Sequence, residues 1–283
     1  MDRNGRAAPM NVQKTVVVLG MHRSGTSVVA GVLEALGVSM GPPAEGERWV
    51  GRHWSNPTGH FENQAFVELN QRILGGDATG IREAPRWQGL AERADEFRPE
   101  IERLVAASER ELWGWKDPWT VLTLELFLPV IPNPAFIFVH RPREEILRSL
   151  RKRASPRDEL IAGLCDLYDQ RLGDLERALA GRPILSLQYH DLLDDPRATV
   201  GRLVDFLGLR PTREELDRAL GMVLSGPALR RESQRMAVTG VVQFPLWVGW
   251  ILKRDLRTNP GVLGSDVARS IPRELLQVLR AVV

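Results

Sequence analysis

The sequence predicts a three-layer α/β/α fold, with a central parallel β-sheet and a P-loop-like loop after its first strand. Residues 14–20, 135–140 and 183–189 are short apolar runs of the kind that form buried strands, and helical patterns alternate with them. Strands that alternate with helices form parallel sheets with helices on both faces. Polar motifs follow all three runs, at the edge where such sheets bind ligands.

The remaining elements follow from apolar spacing and from turn residues. A fourth strand is predicted at 112–115, and a loop rich in Gly and Pro at 41–59. Helices are predicted at 26–36, 63–74, 99–110, 120–128, 144–153, 160–179 and 198–207. We expect residues 1–13 to be a disordered leader and residues 14–283 to form a single domain, in which 226–283 serve as a C-terminal lid or an acceptor-side subregion.

The charge balance of the chain argues against one class of partner. The chain carries 38 Lys and Arg residues against 36 Asp and Glu residues, a formal net charge of +2. Proteins that bind nucleic acids through their overall charge normally have a clear basic excess. We therefore expect no nucleic-acid partner.

Cysteine content and hydropathy bear on localisation. Cys165 is the only cysteine, so no disulfide can form within the chain, and a reducing cytoplasmic setting fits. Cys165 lies in an apolar run and is predicted to be a small buried side chain. Residues 1–14 lack the apolar run of a signal peptide, and no segment reaches the roughly 18–20 apolar residues of a membrane-spanning helix.

Residues 20–27 form the first motif, Gly-Met-His-Arg-Ser-Gly-Thr-Ser, between a predicted strand and a predicted helix. The G-x4-G spacing is that of a backbone nest that surrounds a phosphate at a helix N-terminus. Gly20 and Gly25 supply backbone conformations that side chains would block. Thr26 stands where a P-loop has its lysine, which makes ATP phosphate chemistry doubtful. Arg23 supplies a cation from within the loop instead.

This loop resembles the 5′-phosphosulfate loop of the sulfotransferase superfamily, especially of its bacterial members. The resemblance rests on Arg23-Ser24-Gly25-Thr26, a basic residue followed by Ser-Gly-Thr. It implies that the loop binds the 5′-phosphosulfate of 3′-phosphoadenosine 5′-phosphosulfate (PAPS), and that Arg23 stabilises charge on the transferring group. The implied donor-binding residues of the loop are His22, Arg23, Ser24, Gly25, Thr26 and Ser27.

Two further segments extend the resemblance across roughly residues 14–207. Arg141 ends a predicted strand and Ser149 follows eight residues later, which is the family's pattern for holding the donor's 3′-phosphate. Tyr189 lies in a segment similar to the family's Tyr-Glu-Asp-Leu, with His190 in place of Glu, and is expected near the adenine. Arg230 and Arg231 match the family's C-terminal Arg-Lys-Gly element only weakly, because the glycine is missing.

Sulfuryl transfer often needs a base for the acceptor hydroxyl. His60 and Glu62 lie directly before a predicted helix, and either is a candidate for that role; His53 is a weaker one. The alternative for Glu62 is an acid that merely stabilises the helix N-terminus, worth roughly 0.3–1 kcal/mol. The five histidines show no metal-ligand spacing, and no metal is expected.

Lys116 directly follows the predicted strand at 112–115 and precedes Asp-Pro. A lysine at this edge of the sheet is a candidate for binding the sulfuryl oxygens or the leaving phosphate. The alternative is an ordinary surface lysine. The position between Trp115 and Asp117 favours the functional interpretation.

The acceptor side is the least defined. Apolar residues 240–252 suit a lid over an apolar or aromatic acceptor, a homodimer patch, a peripheral membrane contact or plain core packing. Several tryptophans exceed what a core of this size needs: Trp49, Trp54, Trp87, Trp119, Trp247 and Trp250. The sequence therefore predicts sulfuryl transfer from PAPS to a hydroxyl of a small molecule, with PAP as product. The alternatives are a P-loop small-molecule kinase and a non-catalytic nucleotide-binding protein.

Overall fold

The structure is a computed structural model, and it describes residues 13–41, 61–75, 85–151 and 158–223. These residues fall in one compact unit. The predicted leader, most of the predicted loop at 41–59 and the predicted C-terminal subregion at 226–283 lie outside the described residues.

The described residues form a four-stranded parallel sheet, as the sequence predicts. Its strands are β1 (Lys14–Leu19), β2 (Leu112–Lys116), β3 (Pro134–His140) and β4 (Ile184–Gln188), and their order is β2-β1-β3-β4. β1 lies at the centre, where Val17 pairs with Trp115 on one side and Phe136 on the other. Because all four strands run in one direction, their carboxyl ends share one edge, where the three motifs meet.

Helices connect the strands. They are α1 (Thr26–Ala35), α2 (Gln64–Leu74), α3 (Ala94–Ser108), α4 (Thr120–Phe127), α5 (Arg143–Arg151), α6 (Asp158–Ala178), α7 (Tyr189–Asp194) and α8 (Pro196–Leu207). Residues 213–223 form a further helix. The seven predicted helices are all present, and six of them start within two residues of the predicted position.

Three details differ from the sequence prediction. α3 begins at Ala94, five residues before the predicted start, and Pro99 lies inside it. Pro99 is the sixth residue of α3; it lacks an N–H and so leaves the carbonyl of Asp95 without its helical partner. Tyr189, predicted as the end of a strand, instead begins α7. The helix at 213–223 was not predicted.

Helices cover both faces of the sheet, which confirms the three-layer prediction. The side chains of β1 alternate between two cores, with Val17 and Leu19 facing one and Val16 and Val18 the other. The first core is closed by α2 to α6, and the second by α1, α7, α8 and residues 213–223. Cys165 is buried in the first core, as predicted.

Candidate active site

The loop between β1 and α1 requires both of its glycines. Gly25 has a φ of 105° in the left-handed region, and a Cβ there would lie 2.3 Å from the Tyr189 ring. A Cβ on Gly20 would lie 2.7 Å from both the Ser24 Oγ and the Val139 carbonyl oxygen. Arg23 also has a positive φ, of 71°. The loop is therefore held in a conformation that ordinary side chains would disrupt.

The N-terminus of α1 is available to an anion. No side chain caps this helix, and its first turn has no acidic residue. Ser24 is buried, and its Oγ has no hydrogen-bond partner among the described residues. Because a buried hydroxyl normally has a partner, this one fits a ligand oxygen. Together with the partial positive charge of the helix terminus, it fits an anionic group such as a phosphate.

The second motif contacts the first directly. The Arg141 guanidinium donates from Nη1 to the Arg23 carbonyl oxygen at 2.9 Å. Arg23 in turn donates from Nε to the Ser149 Oγ of α5 at 3.0 Å. Arg23 and Ser149 are 126 residues apart in the chain, so only the parallel sheet brings them together. The two predicted anion-binding motifs thus form one continuous site.

Tyr189 lies beneath this site. Its ring faces the Arg141 guanidinium, whose central carbon is 4.4 Å from the ring centroid, and it packs against Gly25. The tyrosine is buried, so its ring supports the loop and the arginine together.

Lys116 and Glu62 form the other half of the candidate site. Lys116, the last residue of β2, has a side chain only 1% exposed, so the surface-lysine alternative is wrong. Its Nζ donates to the Ser27 Oγ at 3.2 Å and forms an ion pair with Oε1 of Glu62. Lys116 therefore connects the loop to the segment before α2.

Glu62 is placed by the residues on either side of it. Asn63 caps α2, since its side chain accepts a hydrogen bond from the Ala65 N–H at 3.0 Å. Phe61 has a φ of 51°, and its ring packs against Gly31 of α1, where a Cβ would lie 2.9 Å from it. Glu62 thus precedes the cap and turns toward Lys116 instead of lying in the first turn of the helix.

A model of the sulfotransferase family matches residues 15–214. The chain belongs to this family. Sulfotransferase STF1 from Mycobacterium tuberculosis has a similar fold, with a TM-score of 0.50 and 19% identity, over 81% of this chain and 77% of that chain. The sulfotransferase domain of the olefin synthase from Synechococcus PCC 7002 gives a TM-score of 0.46 and 17% identity, over 74% of this chain and 78% of that chain. No curated protein matches the sequence closely.

This family member has a buried polar network behind Lys116 that sequence reasoning missed. Asp117 accepts hydrogen bonds from the Asn70 Nδ2 at 2.7 Å and from the Trp119 N–H at 3.2 Å. Asn70 Oδ1 accepts from the Thr123 hydroxyl at 2.6 Å. Burial, followed by the nearby charge of Glu62, raises the pKa of Asp117 to about 7. The Lys-Asp-Pro sequence at the strand end was the one available signal for this network.

His22, which the family resemblance places among the donor ligands, lies between two aromatic rings. Its ring meets Trp119 edge-on, with centroids 4.8 Å apart, and Tyr168 at 5.9 Å. The Tyr168 hydroxyl donates to the Pro118 carbonyl oxygen at 3.0 Å. The histidine therefore packs the loop against the turn that follows Lys116.

Several predicted residues lie outside the described part of the chain: His53, His60, Arg230, Arg231, Trp49, Trp54, Trp247 and Trp250. Within the described ranges, no group of three or more His, Cys, Asp or Glu residues is arranged to hold a metal ion. No helix in those ranges is both long enough and apolar enough to cross a bilayer.

Proposed function

We propose that this protein transfers a sulfuryl group from PAPS to a hydroxyl, or a similar nucleophile, of a small-molecule acceptor. The observation that carries the proposal is the direct contact between the two anion-binding motifs, through Arg141 to Arg23 at 2.9 Å and Arg23 to Ser149 at 3.0 Å. A donor with a phosphate at each end of its ribose needs two such sites side by side. Membership of the sulfotransferase family supports the same conclusion.

The donor would be held by both motifs. The loop offers its backbone N–H groups and the hydroxyls of Ser24, Thr26 and Ser27 to the 5′-phosphosulfate. Arg141 and Ser149 would bind the 3′-phosphate, with Arg23 between the two groups. Arg230 and Arg231 remain candidates for the same phosphate. PAPS supplies the activated sulfuryl group, and the bond that breaks is the one between sulfur and its bridging phosphate oxygen.

The acceptor half would be served by Glu62 and Lys116. Glu62 is 14% exposed, so its carboxylate is partly accessible and in a position to take the proton of an acceptor hydroxyl. Lys116 contacts Ser27 in the loop and Glu62 at the same time, and its charge would stabilise the transferring group. His60 remains the other candidate for the base.

A pair of arginine variants tests the donor site. Arg141→Ala should weaken PAP binding at least about a hundredfold, because a charge-assisted contact to the phosphate is lost. Arg148→Ala is the matched control, because Arg148 is an exposed arginine on the same helix, α5, as Ser149. Calorimetric titration with PAP measures the affinity of both variants. Equal affinities in Arg141→Ala and the unmodified protein would contradict the proposed 3′-phosphate site.

A further inference from the structure

The Arg141 side chain is held on three sides by groups of the protein. Its Nε donates to Oε2 of Glu145 at 2.9 Å, its Nη1 donates to the Arg23 carbonyl at 2.9 Å, and Tyr189 covers one face. Nη2 makes no contact of this kind among the described residues and is left for a ligand. An arginine fixed in this way loses little side-chain freedom when it binds a phosphate.

His190 holds the other side of Glu145. The His190 Nε2 lies 2.8 Å from Oε1 of Glu145, while Arg141 occupies Oε2. The hydrogen bond from Arg141, supported by the one from His190, lowers the pKa of Glu145, which is therefore ionised at neutral pH. Because a carboxylate can only accept, Nε2 of His190 carries the hydrogen.

We propose that Glu145 and His190 are positioning residues that aim Arg141 at the donor's 3′-phosphate. The inference rests on the proposed function, since it takes the 3′-phosphate as the ligand of Arg141. It assigns a role to His190, the residue that stands where the family's segment usually has Glu. Loss of the hydrogen bond between His190 and Glu145 should accordingly weaken PAP binding.

The test is calorimetric titration with PAP at a single pH, for the unmodified protein, His190→Ala and His190→Gln. Ala removes the hydrogen bond to Glu145, whereas Gln keeps an N–H for it. We expect His190→Ala to bind PAP roughly five- to tenfold more weakly than the unmodified protein, and His190→Gln to bind it about equally.

Two controls make the result specific. Adenosine 5′-phosphosulfate lacks the 3′-phosphate and should bind all three proteins equally. Glu145→Gln should weaken PAP binding and make the His190→Ala change without further effect, whereas Glu144→Gln, on the exposed side of α5, should change nothing.

The outcomes separate this inference from the proposed function. Equal PAP affinity of His190→Ala and the unmodified protein would overturn the role of His190, and so would a loss in His190→Gln as large as in His190→Ala. Equal loss with and without the 3′-phosphate would also overturn it, because the effect would then be general. Failure of the unmodified protein to bind PAP would overturn the proposed function itself.

Discussion

The two halves of the candidate site are built in different ways. The donor half is made of backbone and of charged side chains that follow β1, β3 and β4, and its arginines keep part of their surface accessible. The acceptor half is anchored on β2 and α2, where Lys116 and Asp117 are buried and Asn70 and Thr123 complete a closed hydrogen-bond network. The donor half is thus shaped to receive an anion, whereas the acceptor half is shaped to hold one lysine and one glutamate in place.

This difference predicts that variants in the two halves fail in different ways. Changes in the donor half should act mainly on the affinity for PAP. Changes in the acceptor half should act on turnover when they affect Glu62, and on stability when they affect the network behind Lys116.

The largest effect is expected for Glu62→Gln. Loss of the proposed base should lower turnover about a hundredfold or more, while PAP binds within a few fold of its normal affinity. Turnover is measured with PAPS and a hydroxyl acceptor selected by screening, and binding by calorimetry. Glu68→Gln, an exposed position on α2, is the matched control. A fully active Glu62→Gln protein would point to His60 as the base.

The second largest effect is expected for Asn70→Leu, and it is a loss of stability. It removes the hydrogen bonds to Asp117 and Thr123 and leaves both groups buried without that partner, so we expect the free energy of unfolding to fall by about 2–4 kcal/mol. Urea denaturation measures the loss. Arg72→Ala, which removes only an exposed ion pair with Glu100, should cost less than about 1 kcal/mol. Equal losses in the two variants would mean that the network contributes little.

Gly25→Ala tests the donor half. The added Cβ would clash with the Tyr189 ring, and the alanine would have to keep the left-handed φ of Gly25. We therefore expect the free energy of unfolding to fall by about 2 kcal/mol and PAP to bind more weakly. Gly37→Ala is the control, because Gly37 has a φ of 90° but no atom within 4 Å of its added Cβ. That variant should lose about 1 kcal/mol from backbone strain and bind PAP normally. Normal PAP binding in both variants would show that the conformation of Gly25 does not matter for donor binding.

The smallest effect is a pH dependence of stability from Asp117. The pKa of Asp117 is raised to about 7 in the fold from an ordinary value of 3.8, so the fold favours the protonated carboxyl. Its contribution is complete below about pH 4 and is lost as the pH rises through 7. Between pH 5 and pH 6 the free energy of unfolding should therefore fall by about 1 kcal/mol.

Urea denaturation at those two pH values, with Asp117→Asn as the reference, isolates this contribution. The reference variant lacks the titrating group, so its stability should change less over the interval. An identical pH dependence of the two proteins would show that Asp117 stays ionised in the fold.

The same comparison explains what could be predicted from the sequence. The strands and the donor motifs are encoded locally, because apolar runs identify buried strands and the polar residues directly after them must share one edge of a parallel sheet. The contact between Arg23 and Ser149 is a consequence of that topology. α7 was not predicted because six residues are too few to show a helical pattern. The helix at 213–223 was not predicted because its segment is largely polar.

The acceptor half was harder to predict, because its partners come from separate elements. Lys116 and Glu62 were predicted one by one, but nothing near either residue in the sequence indicates that they pair. Asn70 looked like one polar residue among several on α2, and only its position against α4 makes it the partner of Asp117. Glu145 likewise gains its role from Arg141 and His190 on two neighbouring elements.

The most direct test of the account is a calorimetric titration of the full chain with PAP, and in parallel with AMP, ADP and ATP in the presence of Mg²⁺. The account predicts micromolar or tighter binding of PAP and much weaker binding of the three nucleotides that lack a 3′-phosphate. Preferential binding of ATP with Mg²⁺ would contradict it, because the loop would then serve a phosphoryl donor and the protein would be a kinase.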